Sequence, residues 1–486
     1  MKIELAGYNV DTEILEHLKT GKNEILTPET FSAAYARISR SSDDITTLRK
    51  KAREDVEKAR KSNRIIIFEM GHHSVAEHAV FNFDVIGISR LALEEIEKFR
   101  LASYTEKSQR YVTLKGDYVL PSEIKDRESI FQFKDTINVQ NQFYKKAYLV
   151  LKKYLFSKYP RLIEKKGKKR LLENWAKEDA RYILSLATQG QMGMTINARN
   201  IEHLLRRFSL SLSQEVRNMG EKIFDLIKNI APSIILFPEP SDYDCALKQT
   251  FKNQWKKLST PPAAFSEPKI IQFTPRGDDI ILASFLSLHH SADYPKTLET
   301  IKKLSLDQKK DIFKNLFKKM EFFDTPPREF ELPSITFQAF ISASNFAQLK
   351  RHRIATLLSG DYDIQLGNTV PESICLNHLE KEFMHIIETT NFVYKRLKER
   401  YGEAADYILT NSHRRMVIMK MNLRELYHFI RLRDDQHAQW DIKSLAHTLL
   451  GQVKNIMPLA SLLLCGKSDF EKQYQAIFKS KPTCRI

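Results

Sequence analysis

Two landmarks occur twice in this chain, in the same order. KFRLASY at 98–104 is matched by RHRIATL at 351–357, and INARNIEHLLRR at 196–207 by MNLRELYHFIRLR at 421–433. The runs just upstream of the first pair, GISRLALEEIE and FISASNFAQLK, are also alike. Each copy of the second landmark is followed by roughly 25 residues of helical pattern and then by a proline, Pro232 or Pro458. Conserved order and local spacing point to an internal duplication, with chance matching of short basic helices as the alternative reading. A repeat of this kind constrains the fold strongly, because whatever one half forms the other must form as well. Composition then narrows the class. A chain of 486 residues with 42% hydrophobic and 28% charged residues can bury a core.

The repeats are divided by a proline-rich stretch. FPEPSDYDC and STPPAAFSEP hold five of the seventeen prolines, Pro238, Pro240, Pro261, Pro262 and Pro268. Proline is excluded from helix interiors and stiffens connectors. The expected organisation is therefore a first half over 1–236, a linker over 237–268 and a second half over 269–486. Helical patterns are expected over 45–62, 86–103, 197–230, 298–320, 374–400 and 419–457. Strands are expected at Ile65–Phe68, Ala79–Val85 and Ser334–Phe340. The fold class is α+β with helices dominant. Residues 115–175 have no match in the second half and read as an insertion.

The four cysteines are too few and too scattered for a disulfide scaffold or a zinc cluster. The start, MKIELAGYNVDTEIL, has charges where a signal peptide needs an apolar run, and no apolar run reaches membrane-spanning length, so a cytoplasmic location without a membrane partner is expected. A net charge of +17 points to anionic partners: nucleic acid, an anionic membrane surface or phosphorylated small molecules. The Lys-rich runs at 164–170 and 303–319 support the nucleic-acid reading, but such runs are more often solvated helix faces than binding patches.

Three groups of residues could carry chemistry. Glu106, Ser108 and Arg110 follow the first landmark and suit a nucleotide phosphate, because arginine binds phosphate in a bidentate fork and serine adds a hydroxyl donor. A solvated helix end is the alternative. Gly71-His72-His73-Ser74-Val75-Ala76-Glu77-His78 invites a metal, but it lacks the HExxH spacing, and a structural or cofactor-contacting turn is the better reading. Asn197 with Arg199 and His203, and Asn422 with Arg424 and His428, each place an arginine and a histidine four residues apart on one helix face.

Taken together, GHHSVAEHAVFNFDVIGISR, FRLASYTEKSQRY and ARYILSLATQGQMGMTINARNIEHLL resemble the flavin-dependent thymidylate synthase family. The second half resembles the same family through QLKRHRIAT and NLRELYHFIRLRDDQHAQWDIK. The family signature is RHR-x-x-S-x-N-E-x-S-x-R-Y followed by an N-A-R helix. The resemblance implies methylation of dUMP to dTMP with methylenetetrahydrofolate, FAD and NADPH, in a homotetramer whose sites lie between subunits. It also implies that a duplicated chain forms a homodimer equivalent to that tetramer. An enzyme of the same fold acting on another pyrimidine nucleotide, and a noncatalytic nucleic-acid-binding or scaffolding protein, are the alternatives.

Both halves depart from the signature, in opposite ways. The first keeps the phosphate loop, Glu106, Ser108 and Arg110, and the early arginine, Arg181. Its RHR triplet has become Lys98-Phe99-Arg100, the expected glutamine is Glu95, and the uracil-facing arginine falls on Phe208. The second keeps Gln348, Arg351, His352 and Arg353, and has Arg433 at the uracil-facing position. Its phosphate loop carries Asp361 and Asp363, and Asp406 replaces the early arginine. By resemblance, Glu106, Ser108, Arg110, Arg181, Gln348 and Arg351 would hold dUMP, and Arg433 would polarise the uracil. Arg351, His352, Arg353, Asn422, Arg424 and His428, with Asn197, Arg199, His203, His72 and Ser74, would contact FAD. No metal is expected. The opposite combination, with Asp361, Asp363, Asp406, Glu95 and Phe208, would be inactive or repurposed.

Overall fold

The computed structural model describes residues 1–21, 25–165, 167–255 and 264–482. The chain divides into two compact units, Met1–Pro262 with Pro371–Thr410, and Ala263–Val370 with Asn411–Ile486. Each contains one four-stranded antiparallel sheet, and the two sheets have the same plan. In the first unit the strands are β1 (Lys2–Tyr8), β2 (Val80–Ser89), β3 (Ala102–Glu106) and β4 (Gln189–Asn197), in the order β1-β2-β4-β3. In the second they are β5 (Lys269–Phe273), β6 (Ser334–Ser342), β7 (Thr356–Tyr362) and β8 (Arg414–Asn422), in the order β5-β6-β8-β7. A shared non-sequential strand order is a stronger sign of duplication than matched helices, because it fixes topology as well as pattern.

Register carries the landmarks to equivalent places. Val80 pairs with Asn197 at one end of β2–β4, and Ser334 pairs with Asn422 at the same end of β6–β8. Strand side chains alternate between faces. Phe81, Phe83 and Val85 are therefore buried with Met192, Met194 and Ile196, while Asn82 and Asp84 face outward. In the second unit Phe337, Ala339, Val417 and Met419 form the corresponding face. The first sheet has a register shift between Ile86 and Ile88, and Gly87 between them takes φ +71, a conformation that glycine adopts without Cβ strain.

The helices that follow the strands complete both cores. Ala198–Ser209 buries Ile201, Leu204, Leu205 and Phe208, and Leu423–Arg433 buries Leu426, Tyr427, Phe429 and Ile430. Gln214–Ile227 and Trp440–Ile456 pack behind them. Both junctions are capped by the last strand residue. The Asn197 side chain accepts from the Asn200 N–H at 3.0 Å, and that of Asn422 from the Glu425 N–H at 2.8 Å.

Several sequence expectations need correction. The 86–103 segment is strand up to Ser89, helix over Arg90–Glu97 and strand again from Ala102. Its helical spacing comes from the eight residues Arg90–Glu97, preceded by the β-branched Ile86 and Ile88. Ile65–Phe68 is not a strand; it continues the Val56–Arg64 helix as a π-helical turn, Ile65–Glu69. Within the expected linker, Asp242–Trp255 is helical, and residues 256–263 lie outside those described.

Residues 115–175 are an insertion only in part: the Pro160–Ile163 and Lys168–Ala180 helices have no counterpart between β7 and β8, but the helix before them does. That helix, Arg127–Lys158, lies between β3 and β4, where the second repeat has Glu380–Tyr401 between β7 and β8. These two helices pack together within the first unit. Phe143 meets Phe383 edge to face at 5.8 Å, and the buried Gln140 amide donates to Thr390 Oγ1 at 3.0 Å and to the Ile408 carbonyl at 3.1 Å. That packing is why 371–410, part of the second repeat by sequence, is compact with the first unit. The repeat boundaries proposed from sequence and the boundaries of compactness therefore follow different lines. No described helix is long and apolar enough to cross a membrane.

One close approach holds the end of the Leu423–Arg433 helix. A Cβ on Gly466 would stand 1.8 Å from the Asp434 carbonyl oxygen, a backbone atom that cannot swing aside. Gly466→Ala should destabilise the second unit by about 1–3 kcal/mol, read as a lowered unfolding midpoint. An unchanged midpoint would show that this backbone approach can relax.

Candidate functional site

In the first unit the residues expected around a phosphate come together. β3 ends at Glu106, and the Lys107 N–H donates to the Gln191 carbonyl at 2.9 Å, tying the following loop to β4. Ser108 Oγ accepts from the Arg110 N–H at 3.1 Å, and the Arg110 guanidinium pairs with Glu178. Glu106 lies 3.9 Å from Arg90, which also pairs with Glu94 at 3.2 Å. Arg181 opens a short 3₁₀ turn after the Lys168–Ala180 helix and is 5% exposed. Burial pulls its pKa below the usual arginine range. Tyr182 and Glu178 oppose that shift, while Arg110 and Arg90 add to it. Three guanidiniums thus share one partly buried neighbourhood, with carboxylates Glu94, Glu106 and Glu178 among them. With three carboxylates balancing three guanidiniums, an incoming anion would bind there by competing with those carboxylates for the arginine donors.

The corresponding residues of the second repeat are otherwise employed. Asp363 accepts from the Gln365 N–H at 2.8 Å and caps a 3₁₀ turn, and Asp361 is exposed. The Arg415 Nε donates to the Gly360 carbonyl at 2.8 Å, and its guanidinium stacks over Tyr362 at 4.0 Å. Asp406, buried in the first unit at the place equivalent to Arg181, pairs with Lys398 at 3.0 Å. Burial pushes its pKa up to about 7 against the pull of Lys398, with Glu403 adding to the rise. The ionised form repels a phosphate, and the protonated form offers no positive charge to replace that of Arg181.

The second unit holds the other expected set. The Arg433 Nε donates to His352 Nε2 at 2.9 Å, and its Nη2 to the Gln348 carbonyl at 3.2 Å. A nitrogen that accepts from a guanidinium carries no proton, so His352 bears its proton on Nδ1, which faces Glu425 Oε1 at 3.4 Å. Burial first, then Arg433 and His428, hold the His352 pKa well below the ordinary range and keep the ring neutral. Burial raises the pKa of Glu425. The Gln348 Nε2 donates to Gln439 Oε1 at 3.1 Å.

At the equivalent places the first repeat has lost these interactions together. Phe99 stands for His352 and Phe208 for Arg433, and the two rings meet edge to face at 6.1 Å. Glu95 stands for Gln348 and Lys98 for Arg351, and those two form an ion pair. A polar pair became an aromatic pair, and a glutamine–arginine set became a glutamate–lysine bridge. Removing one member alone would have left a buried donor or acceptor unmatched.

The arginines of the two N-x-R runs are committed in parallel. Arg199 pairs with Glu77, and Arg424 pairs with Glu331 at 2.9 Å while donating to the Pro326 carbonyl at 2.7 Å. Glu77 and Glu331 both lie three residues before the start of the central strand. His203 and His428 are exposed on their helices, as are Arg353, His72 and Ser74, and Arg351 is half-buried. His73 packs edge-on to Phe68 at 6.1 Å and His78 to Tyr35 at 4.6 Å, which gives both rings aromatic neighbours. Sequence reasoning did not single out Glu178, Glu425 or Gln439. Glu178 lies one helical turn before Arg181 and Glu425 three residues before His428, spacings that could have drawn attention to both.

The family model described as "Thymidylate synthase complementing protein", Thy1, matches this chain twice, at residues 23–233 and 269–459. The UPF0159 protein Ta1429 of Thermoplasma acidophilum is 24% identical over 476 residues, covering 88% of this chain and 93% of that protein. A flavin-dependent thymidylate synthase of Clostridium tetani is 30% identical over 219 residues, 44% of this chain and 83% of that protein. A solved flavin-dependent thymidylate synthase from Helicobacter pylori, complexed with FAD and dUMP, aligns at 17% identity and a TM-score of 0.31, covering 49% of this chain and 100% of that chain.

The neutral His352 has a consequence for stability. An unfolded histidine takes up a proton near pH 6.5, whereas the folded one does so only well below that. The unfolded chain therefore binds more protons as the pH falls from about 6.5, and stability falls with it, by up to about 1.4 kcal/mol per pH unit. The double variant His352→Phe with Arg433→Phe, which reproduces the first repeat, should flatten this slope in denaturant melts between about pH 7.5 and about pH 5.5. Asp406, whose raised pKa acts in the opposite sense, is common to both proteins and cancels in the comparison. Equal slopes would contradict a neutral His352.

Proposed function

Because the chain belongs to the thymidylate synthase complementing protein family in both halves, we propose that it methylates dUMP to dTMP at a composite site drawing on both repeats. The observation that carries this reading is complementary loss. The first repeat keeps the guanidinium cluster around Arg181 and lacks the Arg433–His352 pair, and the second keeps the pair and lacks the cluster. One competent set remains per chain.

In that set Arg110 and Arg181 neutralise the dUMP phosphate, the Ser108 hydroxyl donates to it, and Glu106 accepts from the sugar. Arg433, held at its Nε by His352, donates to a uracil carbonyl and draws electron density from the ring. Gln348 and Arg351 fix the base. Because His352 stays neutral through the physiological range, its Nε2 remains an acceptor and the Arg433 fork keeps its direction.

The exposed Arg353 and His428 and the half-buried Arg351 offer the cationic and ring N–H donors that suit a dinucleotide pyrophosphate, so these residues fit FAD. Arg424 and Arg199, paired with Glu331 and Glu77, would shape the walls beside them. When bound, FAD supplies the reducing equivalents, with NADPH as reductant and methylenetetrahydrofolate as one-carbon donor. The protein contributes proximity and electrostatics to a group of anionic ligands, which also accounts for part of the +17 charge. Two chains would supply the four copies of a family tetramer, so a homodimer is the proposed assembly.

The purified protein should be yellow with bound flavin and should form dTMP from dUMP when folate and reductant are supplied. Arg110→Ala and Arg433→Ala should each lower kcat/KM by about a thousandfold or more, while Arg207→Ala, an exposed side chain stacked on Phe99, should stay within about threefold. A total loss in Arg207→Ala with activity kept in Arg433→Ala would mean that the opposite combination is the live one.

A further inference from the structure

Gln439 is completely buried, and its amide oxygen has three donors. It accepts from the backbone N–H groups of Asp441 at 3.2 Å and Ile442 at 3.3 Å, capping the Trp440–Ile456 helix, and from the Gln348 Nε2 at 3.1 Å. The cap determines which end of the Gln439 amide is oxygen, because backbone N–H groups can only donate. An oxygen fixed in that position can receive only the NH₂ end of Gln348. The helix terminus thus sets the Gln348 amide through one intermediary, and the Gln348 oxygen becomes the opposite end.

We propose that Gln439 is a positioning residue that holds the Gln348 amide with its oxygen toward the pyrimidine, and thereby selects uracil over cytosine. The inference rests on the dUMP reading above and adds to it the origin of base specificity. Uracil carries N–H at ring position 3, which a carbonyl oxygen accepts. Cytosine carries a lone pair there, which the same oxygen repels. A site committed to one hydrogen-bond polarity rejects the mismatched analogue strongly, because the failed pairing leaves a buried acceptor facing another.

The first repeat varies both positions together. Ser213 caps the Gln214–Ile227 helix at the place of Gln439, and Glu95 stands at the place of Gln348, paired with Lys98. The equivalence is fixed by the next polar contact: Glu215 bonds to Ser89 Oγ at 2.6 Å, and Asp441 bonds to Ser342 Oγ at 2.6 Å. Where the long capping amide is absent, the amide it would orient is absent too.

The first repeat also supplies the test. Gln439→Ser keeps a competent helix cap but is too short to reach Gln348, whereas Gln439→Glu keeps both the cap and an acceptor within reach. Dissociation constants for dUMP and dCMP, and kcat and KM for dUMP, would be measured on the full-length, flavin-loaded protein, with unfolding midpoints as the folding control. Gln439→Ser should reduce the preference for dUMP over dCMP by about tenfold or more, mainly through KM rather than kcat. Gln439→Glu should restore most of it. A Gln439→Ser variant with the wild-type preference overturns the positioning role, and so does a Gln439→Glu variant that loses preference as fully as the serine. Wild-type protein that binds neither nucleotide would instead overturn the dUMP reading itself.

Discussion

The candidate base-recognition set depends on one partly buried hydrogen bond, from the Arg433 Nε to His352 Nε2. It requires a neutral imidazole, which burial and the neighbouring cations enforce. It gives the end of the Leu423–Arg433 helix a fixed direction and, with the Arg433 bond to the Gln348 carbonyl, links that helix to the Ala343–Leu349 helix carrying Gln348 and to the turn after it carrying Arg351. A guanidinium in water has no preferred partner. Here it is held by groups whose own positions are fixed by strand register, by Gly466 behind the helix end and by Glu425 at the Asn422 cap.

The first repeat shows what the same scaffold does without that bond. Its sheet has the same strand order and the same asparagine cap, and it retains an arginine–glutamate pair beside the central strand. The Arg–His pair is replaced by Phe208 against Phe99, a substitution that satisfies the core with rings instead of hydrogen bonds. The guanidinium cluster, by contrast, belongs to the first repeat, and in the second Asp406 stands at the place of Arg181, paired with Lys398 and raised in pKa by burial. Duplication relaxes the demand that every copy be complete. At 99 and 208, and again at 95 and 98, both members of a pair differ together between the repeats.

Much of this was legible in the sequence. The repeated landmarks gave the duplication, and the strands at 79–85 and 334–340 followed from alternation. The swapped residue sets at 98–100, 351–353, 208 and 433 could be read directly from the two aligned motifs. What could not be read was mostly long-range. The Arg127–Lys158 helix resembled an insertion because its counterpart, Glu380–Tyr401, is shorter and shares packing rather than sequence. Ile65–Phe68 has β-branched composition but lies against a preceding helix that extends through it. The N-x-R asparagines looked like ligand contacts, and in the structure their side-chain oxygens cap helices. Gln439 stood inside a recognised run, yet its link to Gln348 exists only across 91 residues of folded chain.

The proposed composite site makes a claim about number that no single substitution can imitate. Isothermal titration of dUMP into the flavin-loaded, full-length protein counts nucleotide sites directly. The complementary division of residues predicts one dUMP per chain. Two dUMP per chain would mean that the combination carrying Asp361, Asp363, Asp406, Glu95 and Phe208 still binds nucleotide, and would contradict the account.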